Sequence, residues 1–114
     1  MSKPKSTTVE LFGVAWSVFL QSEATYKKMH GSDSDGVCYP HDREIYFCKS
    51  SFTPACVRHE IWHAMVASSG HTSSNLTADQ MEELGAEIYA EHGPRMDLIV
   101  DQIISFFSRK HVLK

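Results

Sequence analysis

The sequence is poor in cysteine, and the cysteines that it has are not arranged as a disulfide framework. Cys38, Cys48 and Cys56 are the only three in 114 residues, and no two of them are spaced as CxxC. An odd number without that spacing favours a reducing compartment, so a cytoplasmic protein is expected. In the alternative interpretation, Cys38 and Cys48 face each other across two strands and pair on oxidation.

Clusters of positive charge and long apolar runs are also missing. The formal net charge is −3, and the eleven Lys and Arg residues are scattered apart from short groups at each end of the chain. Without a basic stripe that follows a phosphate backbone, direct binding of nucleic acid is not expected. No apolar run approaches the roughly 20 residues that a membrane-spanning helix needs, so no membrane partner is expected.

The N-terminal stretch offers a minor alternative location. The letters "MSKPKSTT" are basic, "LFGVAWSVFL" is a short apolar run, and "SEA" at 22–24 resembles a cleavage site. This order is typical of a secretory signal peptide. Glu10 interrupts the junction and Ser17 dilutes the apolar run, so secretion is the minor alternative to a cytoplasmic location.

Composition indicates one domain over residues 1–114, because 42% hydrophobic and 22% charged residues suit a single core. Residues 7–21 alternate apolar and polar side chains and predict two strands that turn near Gly13. A helix over 8–22 is the rival interpretation. A polar short helix or loop is expected at 23–36, and the letters "GVCYP" and "REIYFC" then predict two more short strands.

Helical signals dominate the second half of the chain. Thr53 and Pro54 predict the start of a helix, here helix A, which ends at Gly70. A capping box at Thr77 opens helix B, a Gly-Pro pair closes it, and an amphipathic helix C follows over residues 95–109. These elements predict an α+β fold in which a small antiparallel sheet packs against three helices.

The letters "CVRHEIWHAM" on helix A carry the strongest functional signal. His59 and His63 are one helical turn apart, so both rings can point a nitrogen at one ion, and zinc suits that geometry. Glu60 lies about 100° round the helix from His59, within reach of a water at the metal. The pattern predicts a zinc hydrolase with Glu60 as the general base. Trp62 and Met65 are expected on the opposite face, in the core.

Helix B offers a third zinc ligand. Glu83 follows His63 by twenty residues, a distance that lets helix B fold back against helix A. Glu87 lies one turn later on the same face and is placed to accept a hydrogen bond from a ligand histidine. Glu82 is rotated by about 100° and becomes the ligand only if the helix is out of phase by one residue.

Other interpretations of the same residues stay open. A closed structural site formed by Cys56, His59, His63 and Glu83 is the competing metal site, and a helical core without metal is a third interpretation. A hydrolase also needs a donor for the oxyanion, and His71 just after helix A is the favoured candidate. The remaining candidates are Tyr39, His41 and His92.

The letters "HEIWH" and "EELGAEIYA" resemble the compact gluzincins of the ImmA/IrrE type over roughly residues 36–92. The resemblance implies a zincin-like minimal fold with HExxH on the first of the three helices. In that family the two motif histidines and the first Glu of the second motif bind zinc, which implies His59, His63 and Glu83 here. The glutamate between the histidines is catalytic, which implies Glu60.

The resemblance also implies partners. Members of this family act on regulator proteins with helix-turn-helix domains, so a protein or peptide substrate is expected, with a regulatory protein among the candidates. The small size suggests a phage or mobile-element origin. Glu87 falls where the family places an acid behind the zinc ligands, but this chain has only one more helix where longer members have further segments. A zinc-holding inhibitor or adaptor without turnover is the alternative function.

Overall fold

A computed structural model describes the chain over residues 5–32, 34–68 and 77–112. The strands are β1 (Lys5–Leu11), β2 (Val14–Gln21), β3 (Gly36–Tyr39) and β4 (Glu44–Cys48). The helices are α1 (Glu23–His30), α2 (Pro54–Ser68) and α3 (Ala78–Val112), and a 3-10 turn at Lys49–Ser51 follows β4. The predicted α+β class is confirmed, but three details of the architecture differ from the prediction. One is that His59, Glu60 and His63 lie on α2, the second of the three helices, and not on the first.

The first two strands form the hairpin that the alternating pattern predicted. The rival prediction of a helix over residues 8–22 is wrong. Leu11 pairs with Val14 across a two-residue turn. Phe12 and Gly13 in that turn both have positive φ, 54° and 78°, as in the mirror-image turns that match the twist of a hairpin. Glycine adopts this conformation freely, whereas Phe12 is strained there.

The sheet is mixed, so the prediction of an antiparallel sheet is wrong at one strand pair. The strand order is β1-β2-β4-β3, and β2 runs parallel to β4, with Val18 opposite Ile45. A parallel pair needs a crossover connection. Residues 22–43, which contain α1 and β3, provide that crossover, and their length leaves room for a helix on one face of the sheet.

Of the two predicted possibilities at the start of this crossover, a short helix or a loop, the structure has the helix, α1. Ser22 caps it by accepting a hydrogen bond from the backbone N–H of Thr25. Gly31 ends it with a φ of 90°, a backbone conformation that residues with a Cβ atom rarely adopt. Tyr26 is fully buried and anchors α1 to the rest of the molecule.

Helices B and C are a single helix, α3, so the predicted break at Gly93 and Pro94 is wrong. Pro94 lies inside α3, where it removes one backbone hydrogen bond at a cost of about 3 kcal/mol. The buried residues Ile88, Met96 and Ile103 continue one apolar stripe past this point, and their burial on both sides offsets that cost. The capping box is confirmed, since Thr77 and Gln80 exchange two hydrogen bonds.

The core lies between the sheet and the two long helices. Its central side chains come from β2, β4, α2 and α3: Val18, Ile45, Phe47, Ile61, Met65, Ile99 and Ile103. The cysteines are free thiols, and Cys38 lies opposite Ile45, so it does not face Cys48 as the oxidised alternative required. No described helix is both long and apolar enough to cross a membrane.

Candidate metal centre

Local sequence starts α2, and core packing sets its rotation. The hydroxyl of Thr53 accepts a hydrogen bond from the backbone N–H of Cys56, 3.1 Å away, which satisfies one of the free donors of the first turn. Val57 and Ile61 are fully buried against the core. Because these residues point inward, the face that carries the two motif histidines points outward.

The two motif histidines converge on each other. Their Nε2 atoms are 3.3 Å apart, and the side chain of His59 is 68% exposed. Two nitrogens bound to one zinc at about 2.0–2.1 Å, with a tetrahedral angle, lie about 3.4 Å apart. The pair therefore has the spacing that a shared metal ion requires, although a single N–H···N hydrogen bond between the rings has a similar length.

Glu60 lies next to the pair and is buried, with 7% of the residue exposed. Its Oε2 atom is 3.9 Å from Nε2 of His59. Burial raises the pKa of the Glu60 carboxyl group, and the two histidines lower it by a smaller amount. A buried carboxylate beside two imidazoles that face solvent is an arrangement in which a proton can be taken up and released.

Strand β3 packs over the side chain of Glu60, and the residue at the contact is Gly36. A Cβ atom at Gly36 would lie 3.1 Å from Cγ of Glu60 and 3.2 Å from Sγ of Cys56, so only glycine fits here without a shift of its neighbours. The one sequence signal for this contact is the glycine at the first position of the predicted strand.

Cys56 is a neutral thiol at this site. Burial, together with the charge of Glu60, raises its pKa to about 11. Burial raises the pKa of Cys38 to about 12. Within the described ranges, no three or more His, Cys, Asp or Glu residues are grouped so that they could hold a metal ion. The structure therefore does not assemble the closed site of Cys56, the two histidines and Glu83.

Glu83 and Glu87 are both exposed, and the rotation of α3 explains why. The ring of Trp62 on α2 lies over Gly85, 3.6 Å from where a Cβ would stand. A residue two positions away on a helix is turned by about 200°, so Glu83 and Glu87 point away from α2. Glu82 lies three positions before Gly85 and is turned by only about 60° from it, so Glu82 is closer than Glu83 to the side of α3 that faces α2. The assignment of Glu83 as the third ligand stays a prediction.

Among the described residues, no oxyanion candidate is in contact with the histidine pair. His71 lies outside the described residues. Tyr39 binds His30 of α1 at 2.6 Å, and His41 is exposed in the turn between β3 and β4. His92 packs against the ring of Phe12, with ring centroids 4.3 Å apart.

Trp62 packs against the core as predicted, but it does not lie on the face opposite the histidines, because it shares a groove with His59. Met65 is buried as expected, but Trp62 is only half-buried and borders a groove between α2 and α3 of about 390 Å³. Ala55, Arg58 and His59 of α2 border the same groove, at helical spacings of three and four. That spacing was visible in the sequence, but only the position of α3 makes it one wall of a groove.

Comparison with family models, with characterised proteins and with solved structures finds no match to this chain.

Proposed function

We propose that this protein is a zinc-dependent metallopeptidase that cleaves a peptide bond with water activated by Glu60. The observation that carries the proposal is the 3.3 Å separation of the His59 and His63 Nε2 atoms, with the buried Glu60 carboxylate beside them. His59 and His63 would hold the zinc ion. Glu83 is the predicted third ligand, and because it points away from α2 in this structure, α3 would have to turn to bring it to the histidine pair. When bound, zinc supplies Lewis-acid chemistry.

Glu60 is the group that moves the proton. Its carboxylate takes a proton from the attacking water and returns it to the nitrogen of the leaving amine. Oε2 of Glu60 lies 3.9 Å from Nε2 of His59, so Glu60 would reach a water held where the two imidazoles converge. The contact with Gly36 keeps the carboxylate in place because β3 packs over the Glu60 side chain.

The sheet supports a peptide rather than a small molecule as substrate. β3 is an edge strand of the sheet, and it packs against α2 at Glu60. An extended peptide can add to an exposed edge through main-chain hydrogen bonds, which would bring its backbone close to the histidine pair. In line with the resemblance to ImmA/IrrE-type peptidases, a cytoplasmic regulatory protein is the first substrate class to test.

Metal content separates the parts of this proposal. We expect about one zinc per chain by mass spectrometry in the native protein and in Glu60→Gln, but not in His59→Ala. Glu83→Ala should also lose zinc, whereas Glu91→Ala, an exposed glutamate on the same helix, should keep it. A native protein without stoichiometric zinc would refute the proposal. Zinc that persists in Glu83→Ala would move the third ligand to Glu82 or Cys56.

Activity is then tested on the zinc-loaded protein with a mixture of peptides. Glu60→Gln should retain zinc and lose about 10²–10⁴-fold in cleavage rate, the usual contribution of a general base. The alternative function is a zinc-holding adaptor or inhibitor without turnover. Zinc binding without cleavage of any peptide would support it.

A further inference from the structure

A groove between α2 and α3 runs alongside the histidine pair. It is lined by Ala55, Arg58, His59, Trp62 and Met96 and has a volume of about 390 Å³. This volume is near the lower end of the range of about 300–1,000 Å³ for small-molecule pockets. The groove is shallow and open to solvent, so it suits one large side chain laid against it and not an enclosed small molecule. His59 belongs both to this groove and to the candidate metal centre, so the two are continuous.

The lining of the groove is apolar and aromatic. Met96 is 4% exposed, so its side chain forms the base, while the half-buried ring of Trp62 forms a wall and the exposed methyl group of Ala55 lies at the rim. Arg58 is the one cation among these lining residues, and its Nε is 3.9 Å from a carboxylate oxygen of Asp97. Both side chains are at least half exposed, so this ion pair is weak and screened by solvent.

We propose that this groove binds one side chain of a substrate peptide. That side chain belongs to the residue next to the bond that is cleaved at His59 and His63, and it is large and apolar, aromatic above all. The inference rests on the proposed function, because it names the substrate class of that site. Indole and thioether groups favour aromatic and sulfur-containing partners. A charged side chain would lose hydration against Trp62 and Met96, and an acidic one would gain in return only a solvent-screened contact with Arg58.

The first experiment measures binding without turnover. The full chain carrying Glu60→Gln is labelled at methionine methyl groups and tryptophan indole nitrogens, and is titrated by NMR with N-acetyl-Gly-X-amide. With X as Phe, the Met96 and Trp62 signals should shift and saturate about tenfold more tightly than with X as Asp. The chain has two tryptophans, so Trp62→Phe assigns the indole signals.

A matched pair of variants localises the binding. Ala55→Trp fills the rim of the groove from an exposed position and should abolish the saturable shift of Met96. Ala90→Trp adds the same ring at an exposed position on α3 and should leave that shift unchanged. The proposal is overturned if the Phe and Asp peptides act alike, if Met96 does not shift up to the solubility limit of the Phe peptide, or if Ala55→Trp has no effect.

A cleavage experiment then separates this inference from the proposed function. If the zinc-loaded protein cuts a peptide mixture, apolar residues should be enriched about tenfold or more at one position beside the cut, and Ala55→Trp should replace them with small residues. Cleavage without any preference overturns the groove assignment. Absence of cleavage together with saturable binding of the Phe peptide refutes the peptidase and supports the groove.

Discussion

Two histidine clusters lie on opposite faces of one sheet and use their ring nitrogens in opposite ways. Tyr46 and Phe47 are neighbours on β4 and therefore point to opposite faces. Tyr46 contacts the ring of His30 on α1, with centroids 4.6 Å apart, whereas Phe47 packs in the core beneath α2. On the α1 face, His30 is hydrogen-bonded to other residues of the protein. On the α2 side, His59 and His63 point toward solvent.

His30 has both ring nitrogens occupied. Its Nε2 donates to Oε1 of Gln21 at 3.1 Å, so in the neutral ring Nδ1 accepts the hydrogen bond from the hydroxyl of Tyr39 at 2.6 Å. Burial lowers the pKa of His30. By contrast, the one hydrogen bond that the Nε2 atoms of His59 and His63 make among the described contacts joins them to each other, and both side chains face solvent. We infer that the first cluster stabilises the fold and that the second is available to a ligand.

Zinc affinity should distinguish the two clusters most strongly. His63→Ala should weaken zinc binding by more than about 100-fold, because even the outer partners of zinc ligands contribute about 10–100-fold. His30→Ala should leave zinc affinity unchanged, since His30 lies on the other face of the sheet. Competition with a fluorescent zinc chelator measures both constants. Equal losses of zinc affinity in His63→Ala and His30→Ala would show that the two histidine clusters do not differ in metal binding.

Stability should show the reverse order in the metal-free protein. His30→Ala leaves Tyr39 and Gln21 without their shared partner and should lower the free energy of unfolding by about 2 kcal/mol. His59→Ala removes an exposed ring and should change it by less than about 0.5 kcal/mol. Urea unfolding followed by circular dichroism measures the difference. A larger cost for His59→Ala would mean that the pair holds the fold together.

In the metal-free protein, the Glu60 carboxylate should lower the free energy of unfolding. Burial raises its folded-state pKa, so the ionised form is disfavoured in the native state, and stability falls as pH rises through the carboxyl range. Glu60→Gln should therefore stabilise the metal-free protein by about 1 kcal/mol at pH 7, with little difference near pH 3. Glu91→Gln, at an exposed position, is the control and should have no effect at either pH.

The pH dependence of stability should carry a smaller signal from His30. Its pKa is lowered in the folded state, so the native protein binds fewer protons there than the unfolded chain. This contribution is present above about pH 6.5 and is lost as pH falls through the folded pKa. His30→Gln should flatten the curve between pH 7 and pH 5. A variant curve parallel to that of the native protein would show that His30 does not titrate on unfolding.

Local patterns explain the elements that were predicted from the sequence. The hairpin follows from period-two alternation around Gly13, and the start of α2 follows from Thr53 and Pro54, because these signals act over a few residues. The parallel pairing of β2 with β4 was not predicted, since it joins strands that are distant in the chain. The break at Pro94 was predicted from a local rule that burial along α3 overrides.

The candidate site divides in the same way. The sequence by itself determined that His59 and His63 lie one turn apart with Glu60 beside them, because helix geometry is set by local spacing. Only the tertiary structure decided that Glu60 is buried under Gly36, that Glu83 faces outward and that Trp62 borders a groove. Those properties depend on how β3 and α3 pack against α2, and that packing depends on contacts distant in the chain.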